Sequence, residues 1–262
     1  MNNKIFIQPK LFHTCFDINN MQVLENLLDT VDETRMSNKD KLSIIMRFHY
    51  RWRGSMQDYT VERYAKAIDA LKPNINKTYN SRTLLTHLVN YCCDYKDSNM
   101  PHYLKLIKYL LSRNDVDVNK PDRKCGFPAL QGMFVDRYNA HQVDLKLVNL
   151  LISNGARWNI LNKNKQNILH WMLKNGVYEE DSLKYLLFNT DLNVDQKDIN
   201  GDTPLNMAEQ RIIDEEKLYQ DQMEKYKNPP NSWYMRSEPT RECVEDAIKA
   251  RDMVKIRMIG GI

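Results

Sequence analysis

Four residues near the middle of the chain, His87, Cys92, Cys93 and His102, are of the types that hold zinc, since imidazole and thiolate are its usual protein ligands. Their spacing argues against that chemistry. Adjacent cysteines on a helix point about 100° apart, and no CxxC pair is present, so the thiols read as buried side chains of a helix pair. His170 could serve as a general base, but no nucleophile with an oriented partner accompanies it in the sequence. Cys15 beside His13 reads as helix core, because a Cys–His dyad needs spatial rather than sequential adjacency. The acidic runs Glu179 to Asp181 and Asp214 to Glu216 read as solvated faces. Eight glycines are scattered without a GxGxxG or a GxxxxGK[ST], so no phosphate-cradling loop stands out. No catalytic residue, no metal set and no cofactor are expected.

The elements that would carry any function must therefore be sought in the chain's organisation. With 262 residues and 42% apolar side chains, the chain can bury a sizeable core in one large or two ordinary domains. Five cysteines, odd in number and irregularly placed, the absence of a charged-then-apolar order in MNNKIFIQPK, and the absence of a long apolar run predict a soluble cytoplasmic protein without a membrane span. The net charge of +4 is spread among 27% charged residues of both signs, so charge alone does not imply nucleic acid.

Four segments repeat one pattern, a polar turn feeding a short helix: YNSRTLLTHLV (79–89), KCGFPALQGMF (124–134), NKQNILHWML (164–173) and NGDTPLNMAEQ (200–210). Their aligned leucines are Leu85, Leu130, Leu169 and Leu205. Second amphipathic helices lie between them, in LIKYLLSRNDVDVN, LVNLLISNGARWN and LKYLLFNTDLNVD, closing at Leu111, Ile152 and Leu187. From each closing residue to the next aligned leucine the distance is 19, 17 and 18, whereas within a unit it is 26, 22 and 18. A connection of fixed length therefore joins successive units, and a tolerant loop joins the two helices inside each.

These segments resemble the ankyrin-repeat family, whose unit is a hairpin-like turn, a TPLHxA helix, and a VxxLL helix followed by GAxxN. The matching residues are DINGDTPLNMA (198–208), LVNLLISNGARWN (147–159) and NILHWM (167–172) with its histidine His170. The pattern is departed from where Asn206 replaces histidine, Ile168 and Leu84 replace proline, and Lys165 and Ser81 replace the turn glycine. In this motif a histidine ties one turn to the next, which is the role the resemblance implies for His170. LFHTCFDINNMQVLENLLDT (11–30) reads as a terminal helix pair, and KDKLSIIMRFHYRW with YTVERYAKAIDALKPNIN as a more degenerate one. The expected fold is an all-α ankyrin-repeat solenoid of about six helix-pair units with a C-terminal capping helix. Residues 1–227 form the array, degenerate over 10–78 and clearer over 79–227; residues 228–262 form a proline-bounded loop and the capping helix. The helix from Thr203 carries apolar residues at 205, 208, 212, 219, 223 and 226, and the last one places Val244, Ala247, Ile248, Val254 and Met258 on one face.

The resemblance implies a non-enzymatic module that binds a protein on its concave face, through turn tips and exposed positions of the first helices. At the matching positions stand Tyr79, Arg82, Arg123, Lys124, Lys163, Lys165 and Asp198 on the tips, and His87, Tyr91, Trp171, Lys174 and Met207 on the first helices. Three successive tips are basic, and the last carries Asp195, Asp198 and Asp202. A partner with an acidic segment is the complement. Trp171 and Tyr91 are either interface anchors or rings packed between repeats, and Trp158 reads as packing. The loop NPPNSWYMRSEP (228–239) with Trp233 either covers the last repeat or forms a second contact. Two other classes compete: an enzyme with an unrecognised site in 31–78 or 206–262, and nucleic-acid binding through the basic tips. The wealth of Lys, Asn and Ile, with divergent repeats, resembles secreted effectors of intracellular bacteria and proteins of large DNA viruses. That likeness implies a host protein as partner and the host cytosol as location; no poxvirus-type F-box pattern closes the chain.

Overall fold

The computed structural model describes residues 4–17, 21–52, 58–94, 100–135, 144–176, 179–228 and 238–260. Its helices follow one another in pairs. They are α1 (Pro9–Asp17) and α2 (Met21–Thr30), α3 (Asn38–Trp52) and α4 (Asp58–Leu71), α5 (Leu84–Asp94) and α6 (Met100–Leu111), then α7 (Ala129–Gly132) and α8 (Leu145–Ser153). The last two pairs are α9 (Ile168–Asn175) with α10 (Glu180–Phe188), and α11 (Pro204–Lys227) with α12 (Glu242–Gly260). The described residues are thus all-α and form six helix pairs in the manner of ankyrin repeats. Outside the helices, the described residues show two isolated bridges, Ile5 with Val31 and Tyr79 with Arg82. No helix among the described residues is long and apolar enough to cross a membrane.

The chain divides into two compact units, residues 1–133 with 144–156, and residues 134–143 with 157–262. In the first, like packs on like: α1 on α3 and α5 on α7 among the first helices, α2 on α4 and α4 on α6 among the second. Apolar residues three and four apart give each helix one buried stripe. Tyr103, Leu106, Ile107 and Leu110 on α6, and Leu147, Val148 and Leu151 on α8, are all at most 1% exposed. Each fully buried leucine contributes about 2 kcal/mol. The aligned leucines Leu85 and Leu130 are both core residues.

The second unit repeats the scheme, with α9 on α11 and α10 on α12. Leu169 is buried and Leu205 is half-buried. The capping helix α12 therefore works by completing the sixth pair: it takes the place of a second helix, burying Val244, Ala247, Ala250 and Val254. Along α11, Ala208 is buried while Ile212, Tyr219 and Met223 are half-buried. Trp158 packs edge-on against Phe134 and Tyr185, at ring-centroid distances of 5.8 and 6.3 Å.

Successive pairs are tied by asparagines, Asn38 at the start of α3 and the others in the segments that follow second helices. Asn38 accepts from the amide of Asn74 and donates to its carbonyl, while Asn76 donates to Asp115 O and accepts from Asp117 N. Asn119 donates to Gly155 O within the first unit. In the second, Asn159 donates to Asp191 O and accepts from Asn193 N. A side-chain amide suits this place because it offers both a donor and an acceptor to backbone that has no helix partner.

Candidate protein-binding surface

The turns that precede the first helices are held by short polar side chains. In the first unit, Tyr79 and Arg82 exchange both backbone hydrogen bonds, at 2.9 and 3.2 Å, around Asn80 (φ 48) and Ser81 (φ 69). Two successive positive φ values make this a type I′ turn, which a glycine would adopt with less strain than Ser81. The amide of Arg123 donates to Ser81 O at 2.7 Å, joining this tip to the next. There Asp122 is buried, and its Oδ1 accepts from the amides of Lys124, Cys125 and Gly126. Arg123 and Lys124 are exposed on a backbone that cannot easily move.

The second unit uses the same device twice. Asn162 Oδ1 accepts from the amides of Asn164 and Gln166, and Asp198 Oδ1 from those of Asn200 and Asp202. Asp198 Oδ2 accepts from Gln166 Nε2 at 3.0 Å, and Ile199 N donates to Asn164 O at 2.9 Å, so the two turns are stitched together. Burial alone would raise the Asp198 pKa, but the amides of Asn200 and Asp202 and the Gln166 side chain outweigh it and hold the carboxyl below its usual value. Lys163 and Lys165 are exposed, Lys165 at φ 58 in the place of the turn glycine.

The first helices begin with a residue that caps the amide three positions on: Thr83 to Thr86, Asn167 to His170 and Thr203 to Asn206. Asn206, standing where the family has histidine, still returns the favour by accepting from Thr203 N at 2.8 Å. His170 does more, reaching Asp202 O from Nε2 at 3.1 Å while Nδ1 takes the Asn167 amide. Burial lowers its pKa, so a neutral imidazole ties one turn to the next. This is the structural role, and it leaves no ring nitrogen for base catalysis.

The remaining chemistry-bearing residues go the same way. His13 Nε2 meets Ser43 Oγ at 3.2 Å, and burial raises the thiol of Cys15. Burial likewise raises Cys92 and pushes Cys125 up to about 12, the opposite of what a nucleophilic thiol needs. No group of three or more His, Cys, Asp or Glu among the described residues is placed to hold a metal ion.

The residues singled out on the tips and first helices separate into two sets. Tyr79, Arg82, Tyr91, Arg123, Lys124, Lys163, Lys165, Trp171, Lys174 and Met207 are exposed or half-buried. His87 and Asp198 are only 4% and 5% exposed. The His87 ring lies 4.6 Å from that of Tyr91, which in turn stacks on Tyr103 of α6 at 6.4 Å, so Tyr91 packs within its own helix pair. Trp233 lies outside the described residues. Sequence reasoning missed Ile199, which is 64% exposed at the last tip between Lys197 and Asn200. Its signal was a lone aliphatic residue inside a turn of polar ones.

Part of the chain matches a known family model. Residues 137–215 match a family model described as ankyrin repeats in three copies. No curated protein matches the chain. Among solved structures it is similar to the ankyrin repeat domain of Bcl-3, described as a unique member of the IkappaB protein family. The identity is 16%, over 77% of this chain and 93% of that one, with a TM-score of 0.44. Residues 137–215 are thus similar to ankyrin repeats, an architecture of typically non-catalytic, protein-binding modules.

Proposed function

We propose that the chain binds a partner protein carrying an acidic segment, through its turn tips and the exposed positions of its first helices. The observation that supports this is the pinning of the basic tips. Arg123 and Lys124, and separately Lys163 and Lys165, project from turns whose backbone amides are already held by Asp122 and Asn162. A backbone already held in place removes the loop-ordering part of the cost of binding, which leaves only the side chains to be ordered and favours affinity as well as orientation. Half-buried Trp171 and exposed Lys174 on α9 extend the same surface of the second unit. In the host-cell setting that the composition suggests, the partner is a host protein.

The test is affinity capture from a eukaryotic lysate. The wild-type chain is compared with one in which Arg123, Lys124, Lys163, Lys165 and Trp171 are alanine, after circular dichroism has matched their helical content. Loss of one defined partner in the variant supports the reading, and equal capture refutes it. Nuclease treatment decides against nucleic acid as the captured ligand if the partner is retained.

A further inference from the structure

Residues 4–7 lie alongside α1 and α2 in the first unit, far in sequence from the tips. Ile5 donates to Thr30 O at 2.9 Å and accepts from Asp32 N at 2.7 Å, forming a parallel bridge with Val31. In extended backbone the polar groups of successive residues point to opposite sides. Those of Ile5 are taken up by residues 30 and 32, so those of Phe6 face the other way. Among the described residues no hydrogen bond engages the amide or carbonyl of Phe6. Beside this isolated bridge the amide and carbonyl of Phe6 thus form a short open backbone edge, whose natural complement is another extended polypeptide.

Beside the edge lies an open, mostly apolar cavity of about 440 Å³, with Ile5, Phe6, Leu11 and Leu27 among its lining and Gln8, Lys10 and Thr14 as its polar part. Ile5 and Leu11 are 54% and 46% exposed. The charges around it are unequally committed. Glu25 is paired with Arg63, Asp29 with Lys66, and Glu33 with both Lys4 and Lys72, at 2.6 to 3.0 Å. Asp32 Oδ1 accepts from Thr34. By contrast, Lys10 has no ion pair among the described residues, and Arg35 lies over the Phe6 ring, 4.6 Å from its centroid. Asp32 is likewise without an ion pair among the described residues, but Lys10, Arg35 and the second lysine on Glu33 leave the net charge of these groups positive.

We propose that this edge and cavity form a second docking site, for an extended acidic peptide segment of another protein that adds as a strand beside Phe6. A large apolar side chain of the segment fills the cavity, and a carboxylate meets Lys10. Lipid headgroups and nucleic acids lack the alternating amide donors that the edge requires. The site stands independently of the reading of the turn tips.

The test is calorimetric titration of the full chain with a short acetylated, amidated peptide that alternates valine and glutamate around one phenylalanine. Two further versions are N-methylated at alternate amides, one in each register. Saturable binding is expected, weakened by about tenfold or more in one N-methylated register and little in the other. Lys10→Glu and Leu11→Glu alter exposed positions and should leave helicity and melting temperature unchanged while weakening binding comparably. A lysine-for-glutamate peptide should bind Lys10→Glu better than it binds the wild type. Absence of binding, equal effects of the two N-methyl registers, or unchanged binding by both variants overturns the proposal. So does a wild-type dimer in sedimentation that Leu11→Glu disperses, since the cavity is then filled by a second copy of the chain.

Discussion

Replacing Gly176 with alanine should strike the second unit in two ways at once. Gly176 ends α9 at φ 59, its amide donating to Met172 O at 2.8 Å. An L-residue in that left-handed geometry costs about 1 kcal/mol. The second cost comes from α11. The Arg211 guanidinium lies over the glycine so closely that a Cβ there would overlap its Nη1 and Cζ. The arginine must leave. It then gives up a 2.8 Å ion pair with Glu215 in which the two side chains are only 14% and 20% exposed. A pair so shielded, together with the packing of the arginine stem, is worth about 1–2 kcal/mol. The sum is a loss of about 2–3 kcal/mol, read from urea unfolding followed by far-ultraviolet circular dichroism. Arg211→Ala alone should cost about 1 kcal/mol. In the double variant no guanidinium remains to be displaced, so its cost should fall short of the two singles added by about 1 kcal/mol. A Gly176→Ala cost no larger than the backbone part, with an additive cycle, would refute the packing of Arg211 on this cap.

Three other perturbations test the turns and ties. Ser81→Gly relieves a positive φ and should stabilise the first unit by about 0.5–1 kcal/mol in the same unfolding assay, whereas Ser81→Val should destabilise it. Asn159→Ala removes the bonds to Asp191 O and Oδ2 and from Asn193 N and should cost about 1–2 kcal/mol; Asn159→Asp keeps the acceptor for Asn193 N but sets a second carboxylate against that of Asp191, and should cost at least as much. Glu33 is held down to about 2 by hydrogen-bonded ion pairs, first with Lys4 and then with Lys72. Its folded pKa lies below the unfolded value of about 4.3, so its stabilisation is complete above that pH and fades as pH falls towards 2. Because both lysines are more than half exposed, the effect should be about 1–2 kcal/mol rather than the full shift. Thermal melts between pH 2 and 7 should show Glu33→Gln to be less stable near neutrality and less sensitive to acid.

The helix pairs were legible because burial imposes a spacing that the chain must repeat. Leu85, Leu130 and Leu169 recur at the same point of their units and all three are core residues. What the spacing could not reveal is which polar residues the turns consume. Asp198 reads as a projecting charge, yet its carboxylate closes on amides two and four residues ahead. The same relation joins Asp122 to Gly126 and Asn162 to Gln166, so an Asp or Asn four residues before the last turn residue was the available signal. His87 was misplaced for another reason. Its helical position matches an exposed one in the pattern, yet it is buried; the i,i+4 pairing with Tyr91 was legible, but the stacking of Tyr91 on Tyr103 of the next helix was not.

This local capture changes the electrostatic reading of the tips. Counted from the sequence, the last turn is acidic, with Asp195, Asp198 and Asp202. In the folded chain Asp198 faces inward against amide dipoles and Gln166, and Asp202 is half-buried, which leaves Asp195 as its exposed carboxylate. Lys163, Lys165 and Lys197 remain exposed on the same pair of turns. The field that an approaching partner meets on the second unit is therefore more basic than composition implies, with the exposed Ile199 at its edge. It follows that Asp198→Asn, which keeps an acceptor for the Asn200 and Asp202 amides, should disturb partner capture far less than Asp198→Ala. The alanine variant releases the turn and with it the fixed placement of Lys197. A salt titration of capture separates the two effects: if Asp198 acts only by placing the turn, the asparagine variant keeps the wild-type salt dependence. A markedly altered dependence in that variant would mean that the carboxylate itself faces the partner.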